Sequence, residues 1–121
     1  MSYIQGLLIA VPEENKNAYI EMARMAAPIF ENYGATRIME CWGDAVADGE
    51  VTDFKRAVKA KDGEVVVFSW IEWPDKETYE AALGKMETDE RWSQMPEMPF
   101  DGKRMMWAGF QPIFESTKTA S

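Results

Sequence analysis

The stretch Gly63–Trp73, GEVVVFSWIEW, decides how the rest of the chain must be arranged. Three valines, Phe68, Trp70, Ile71 and Trp73 crowd it, with Asp62-Gly63 before it and Pro74 after it. β-branched and aromatic residues suit a pleated, packed surface, and Asp-Gly and Pro are turn and stop signals. Val65, Val67, Ser69, Ile71 and Trp73 share one side of such a strand; Val66, Phe68, Trp70 and Glu72 share the other. Neither side is cleanly polar, so this strand is expected to be covered on both faces. Helices of the same chain supply one cover, and a second copy of the protein is the simplest source of the other.

Working outward, Tyr3–Val11 (YIQGLLIAV) reads as a strand that Pro12 ends. Glu13 and Glu14 then open a helix, with negative charge where the amide dipole favours it. Ala18, Met22, Met25, Ile29 and Tyr33, joined by Tyr19, Ala26 and Phe30, recur at helical spacing up to a stop at Gly34. Pro28 lies inside this pattern and predicts one bent helix in preference to two short ones. Ala35–Trp42 is the next strand, followed by the Gly- and Asp-rich loop Gly43–Glu50. Thr52 or Asp53 caps a short turn that runs to Val58. After the central strand, Asp75 caps a second helix with an apolar stripe of Tyr79, Ala82, Leu83 and Met86. A further turn is expected around Asp89–Met95; then Pro96 and Pro99 break regularity, and Asp101-Gly102 turns into a last strand, Lys103–Phe110. The tail Ser116–Ser121 is small and polar and is expected to fray, leaving 1–115 as a single domain.

Composition narrows the partners. At 121 residues the chain fits one domain with a real core. Its formal charge of −8 opposes phosphate backbones, so nucleic-acid binding is not expected. One cysteine excludes an intrachain disulfide. No apolar run approaches the roughly 18 residues of a membrane span, and Met1–Val11 carries no basic leader, so a cytoplasmic protein is expected. Five Trp and nine Met serve either a generous core or an interface, where such residues are enriched.

The order strand, helix, strand, strand, helix, strand is the split βαβ, or ferredoxin-like, pattern: an α+β fold with two helices on one face of an antiparallel sheet. The stretches Glu40–Pro74 (ECWGDAVADGEVTDFKRAVKAKDGEVVVFSWIEWP) and Met98–Met105 (MPFDGKRM), together with VPEENKNAY in the opening segment, resemble the uncharacterised bacterial YbaA-like family. The resemblance extends to about Phe114 and implies a dimeric α/β barrel built from two ferredoxin-like protomers. It brings no established reaction and no catalytic residues. The wider superfamily includes monooxygenases, haem-degrading enzymes, isomerases and non-catalytic members, and fold alone does not choose among them.

The chain has no histidine. That removes the usual haem ligand, the commonest metal ligand and the usual neutral-pH proton shuttle, so neither cofactor nor metal is expected. Cys41 reads as a nucleophile or, without an activating base, a buried inert thiol. Asp44, Asp48, Glu50 and Asp53 form an acidic loop whose spacing does not match a calcium loop. Lys55, Arg56, Lys59 and Lys61 make a basic cluster, either a solvated face or a gate for a small anion, with Arg56 and Lys59 as candidate ligand contacts.

The set richest in chemistry is Glu40 and Trp42 on one strand, Trp70 and Glu72 on the central strand, and Arg104 on the last. On the inter-sheet face these would give a semi-enclosed site in which a small aromatic ligand stacks on Trp42 and Trp70. Arg104 would hold an anionic group, and Glu40 or Glu72 would move a proton. The competing reading is a structural ion pair between Arg104 and a glutamate. The functional expectation is a homodimer with a small-molecule pocket, a cofactor-independent oxygenase or isomerase acting on a small acidic or aromatic metabolite. The alternative is a non-catalytic dimer that binds a ligand or protein, with a stress-related role among its possibilities.

Overall fold

The computed structural model describes residues 2–118. Thr119–Ser121, half of the tail expected to fray, lie outside the described residues; 116–118 are exposed and without regular structure. Four strands form one antiparallel sheet: β1 (Tyr3–Pro12), β2 (Arg37–Trp42), β3 (Glu64–Trp73) and β4 (Met106–Phe110). Their order across the sheet is β2-β3-β1-β4, with the two long strands central and the two short ones at the edges. This is the ferredoxin-like arrangement expected from the chain order.

Between the strands run α1 (Lys16–Asn32), a short α2 (Phe54–Ala57) and α3 (Lys76–Thr88). Glu13 and Glu14 form a single 3-10 turn before α1, which then passes through Pro28 as one helix. Gly34 ends it with φ +113°, a conformation that costs a β-carbon dearly, and an added Cβ would also meet Thr78. Asp53 accepts the Arg56 amide to cap α2, and Asp75 accepts the Thr78 amide at 2.7 Å to cap α3. The last strand is shorter than expected: Gly102–Arg104 form a 3-10 turn, and pairing with β1 starts at Met106.

The core lies between the sheet and the pair α1 and α3. Ile71 and Trp73 of β3 pack there with Ile29, Tyr33, Tyr79 and Ala82. Beside them, Ile9, Val11 and Val67 meet Tyr19. Trp73 is fully enclosed and its indole N–H donates to Gln5 Oε1 at 3.3 Å. The buried face of α1 is centred on Tyr19, Ala26, Ile29 and Tyr33; Ala18 and Met25, expected to share it, are exposed. They belong to the edge of the helical stripe, which the sheet does not reach.

The opposite face of the sheet was expected to be free of helix, and at one end it is not. Val58, after α2, packs on Ala10 and Val66, and Phe54 stacks edge-on against Phe68 at 6.3 Å. The remainder of that face stays open. Among the described residues no helix is long and apolar enough to cross a membrane.

Candidate functional site

Register decides which strand residues face which layer. On β2 and β3 the pairs are Glu40 with Ser69, Trp42 with Val67, Met39 with Trp70 and Arg37 with Glu72. Paired residues point the same way. Glu40 and Trp42 therefore face the helices along with Ser69, while Trp70 and Glu72 face the open side. The expectation of one face shared by Glu40, Trp42, Trp70 and Glu72 is corrected here: alternation fixes sides within a strand, but only the register relates one strand to the next.

Arg104 joins neither group. Its guanidinium makes a bidentate pair with Glu64, 2.7 Å on each arm, and a third contact to Asp101 at 3.0 Å. Fork-to-carboxylate geometry of this kind is strong and orienting. It holds the Glu64 carboxyl down to about 2. Its Nη1 also donates to the Lys59 carbonyl at 2.9 Å, and Lys59 adopts φ +50°, unusual for a side-chain-bearing residue. Arg104 is thus a brace between the two ends of the sheet connections, the structural alternative weighed above, although its partner is Glu64 and not Glu40 or Glu72. Arg56 is likewise committed: it grips Asp53 at 3.0 Å and the carbonyls of Gly49, Glu50 and Val51, tying the Gly- and Asp-rich loop to α2. Asp53 is held well below the usual carboxylate range by these donors.

Between the helices and the sheet lies a cavity of about 480 Å³. Met22 and Phe30 come to it from α1, Met86 from α3, and Leu7 and Ile71 from the sheet floor. A segment after α3 closes it with Trp92, Met95, Met98 and Phe100. That segment has little regular structure of its own, yet it is pinned along its length. Tyr33 Oη donates to Asp89 at 2.6 Å and accepts from the Trp92 indole at 3.0 Å; Asn15 Nδ2 donates to the Pro99 carbonyl at 2.9 Å.

Polar groups in this apolar space are few. Among the described residues Glu40 is the one carboxylate on the wall. Its Oε1 accepts from the Tyr19 hydroxyl at 2.6 Å, and no hydrogen bond reaches Oε2 among the described residues. As a residue Glu40 is exposed to solvent, while its carboxyl sits against Tyr19 at the cavity wall. Desolvation by the protein packed around the carboxyl pushes it above the usual value, and the Tyr19 hydrogen bond and the nearby Ser69 hydroxyl only partly oppose this. The same contact, with burial, pushes the Tyr19 phenol far up, so Tyr19 stays a donor. Ser69, directly across the ladder, lies close enough to favour the ionised Glu40. Its geometry falls short of a hydrogen bond, so its buried hydroxyl has no partner among the described residues. Buried polar atoms are nearly always paired, and an orphan beside a carboxylate in a cavity marks a place where a ligand or water completes the set.

Tyr19 and Ser69 were read from sequence as core positions. A usable signal existed: Gln5, Glu40 and Ser69 are the polar breaks in otherwise apolar strand faces, and the register puts all three on the cavity side. Trp42 stands just outside the cavity wall, packed on the Tyr19 cluster with the Lys16 ammonium 5.4 Å over its ring.

On the open face, Glu72 accepts from the Trp70 indole at 3.1 Å and lies 3.9 Å from Arg37. Phe68, Met106 and Phe110 are exposed around a trough of about 590 Å³. Cys41 shares this face, opposite Phe68.

Comparison with known proteins agrees with this architecture. The chain is 54% identical over 116 residues to uncharacterised protein YbaA of Escherichia coli, covering 95% of this chain and 99% of that one. The protein of the same name from Shigella flexneri matches equally. A dimeric ferredoxin-like protein from an uncultured marine organism superposes with a TM-score of 0.62 at 10% identity, over 95% of this chain and 98% of its own. A putative antibiotic biosynthesis monooxygenase from Bacillus cereus gives 0.61 at 15% identity over the full length of both. Likeness at such identity speaks for the fold. The model of the family described as "Protein of unknown function (DUF1428)" matches residues 2–102, and the chain belongs to that family.

Proposed function

We propose that this protein is a homodimeric small-molecule protein that works through the cavity between its helices and its sheet, with Glu40 as the proton-moving group. One observation carries this: a lone carboxylate, raised by burial, stands in an apolar cavity beside an orphan hydroxyl. General bases are tuned upward in this way when they must accept a proton near neutral pH. Tyr19 holds Oε1, which leaves Oε2 to meet a ligand. A proton taken from an acidic C–H or O–H of the ligand leaves a delocalised anion. Return of the proton at another atom is an isomerisation; attack of the anion on dioxygen starts an oxygenation that needs no cofactor. The description of the Bacillus cereus neighbour as an antibiotic biosynthesis monooxygenase is consistent with the second route.

The second copy covers the open face. Phe68, Met106 and Phe110 are too large and too contiguous to remain wet, and Ile113 and Phe114 beyond β4 are more than four-fifths exposed. The dimeric ferredoxin-like neighbour supports the same closure. Trp70 and Glu72 fall in this interface, with Arg37 as their neighbour.

The alternative of a binder without catalysis draws on the methionine-rich wall, since thioethers adapt to many shapes. A thermal-shift screen for ligands, followed by turnover with and without Glu40→Gln, decides between them. The catalytic reading expects binding to persist and turnover to vanish; unchanged turnover removes Glu40 from the mechanism.

A further inference from the structure

The charge inventory of the cavity says what kind of molecule it accepts. Glu40 is its only carboxylate, and no lysine or arginine lines it among the described residues. The guanidiniums adjacent in sequence to its wall residues Trp92 and Met105 are taken: Arg91 by Asp89 and Asn32, Arg104 by Glu64 and Asp101. An anionic ligand would bring a second negative charge into a space with no countercharge. It would also find almost no donors to replace its water. The Tyr19 hydroxyl is engaged by Glu40, and Ser69 offers a single O–H. Anions bound in apolar surroundings need several charge-assisted donors. A ligand N–H or O–H, by contrast, matches the open Oε2, and Ser69 can give or take one more bond. The faces of Phe30, Trp92 and Phe100 and the thioethers of Met22, Met86 and Met98 suit a flat apolar body.

We infer that the ligand is a planar, largely apolar molecule that presents a hydrogen-bond donor to Glu40, uncharged or cationic at that donor and without an anionic group. This rests on the cavity being the ligand site. It keeps the aromatic half of the expected metabolite class and drops the acidic half, because Arg104, the intended anion holder, is elsewhere.

The test uses three probes with one ring system: naphthol, naphthylmethylammonium and naphthoate, titrated calorimetrically into the intact protein at about pH 8, where the acid is ionised and the amine protonated. Naphthol and the ammonium are expected to bind at least about tenfold more tightly than naphthoate, a ratio set by like-charge repulsion at close range. In Glu40→Gln the gap should narrow by about threefold or more, since the repelling charge is gone and the amide adds a donor, while the scarcity of other donors keeps the rest of it. Naphthoate binding as tightly as naphthol overturns the inference while leaving the cavity a ligand site. A gap left wholly unchanged by Glu40→Gln also overturns it, because Glu40 then takes no part in the discrimination. If none of the three binds, the cavity reading falls and this inference with it.

Discussion

The two faces of the sheet carry similar residue types and treat them in opposite ways. On the open side, Glu72 is satisfied: an indole N–H bonds it and Arg37 stands beside it. On the helix side, Glu40 has one neutral donor, no cation paired with it among the described residues, and an upward-shifted carboxyl. The open side is apolar at its margins and built for contact, whereas the helix side is apolar around a single unsatisfied centre. A carboxylate kept where it is unfavourable, beside an orphan hydroxyl, is the kind of local inconsistency that function imposes on a fold. A carboxylate with an indole N–H bonded to it and a guanidinium beside it is ordinary pairing.

The sharpest way to break the comparison is to neutralise each carboxylate in turn. With a turned-over ligand in hand, Glu40→Gln is expected to lower kcat by about a hundredfold or more, the usual worth of a positioned base. Glu72→Gln is expected to leave kcat unchanged. Equal losses in the two variants would dissolve the distinction between the faces.

Next in size is an effect on assembly alone. Phe68 is 44% exposed in the single protomer, so Phe68→Asp leaves the core intact. Placed at the centre of the proposed interface, a charge should cost about 2 kcal/mol or more of dimer stability, roughly thirtyfold in the dissociation constant. Sedimentation or native mass spectrometry reads the shift toward monomer. A wild-type protein that is already monomeric at micromolar concentration would remove the interface altogether.

The contrast also explains what the sequence could and could not disclose. The fold was legible because its signals are local: the GEVVVFSWIEW run, the Asp53 and Asp75 caps, Gly34 and the helical spacing of Tyr19, Ala26, Ile29 and Tyr33. The greasy open face was legible too, from the same run. Grouping Glu40 with Glu72 failed because the register between β2 and β3 pairs even with odd positions, which no single strand encodes. Arg104 was misplaced for a related reason. Its partner Glu64 is forty residues away, and the turn at Gly102–Arg104 takes it out of the strand. Of the basic cluster, Arg56 braces the same long connection, folded back on carbonyls of its own loop.

A smaller effect tests whether Ser69 belongs to the site or merely to the core. A typical core substitution destabilises by about 1 kcal/mol. Removing a buried hydroxyl that has no partner should instead be neutral or stabilising by about 0.5–1 kcal/mol. Ser69→Ala is therefore expected to raise or preserve Tm while weakening ligand binding. A clear drop in Tm, with binding intact, would show that the hydroxyl supports the fold and that no ligand depends on it.

The finest test is the pH dependence of stability, in which Glu40 and Glu64 act with opposite sign. Glu64 has a folded value near 2, below its ordinary value, so its contribution is present above about pH 4.5 and is lost as pH falls toward 2. Glu40 has a folded value above its ordinary one, so the folded state is favoured while the group is protonated, and that advantage is lost as pH rises through the folded value. The Tm difference between Glu40→Gln and wild type should thus be near zero at acid pH, turn positive as pH rises and level off once Glu40 is ionised. If Glu40→Gln is less stable than wild type at neutral pH, the ionised carboxylate is well accommodated, and the asymmetry between the two faces loses its energetic basis.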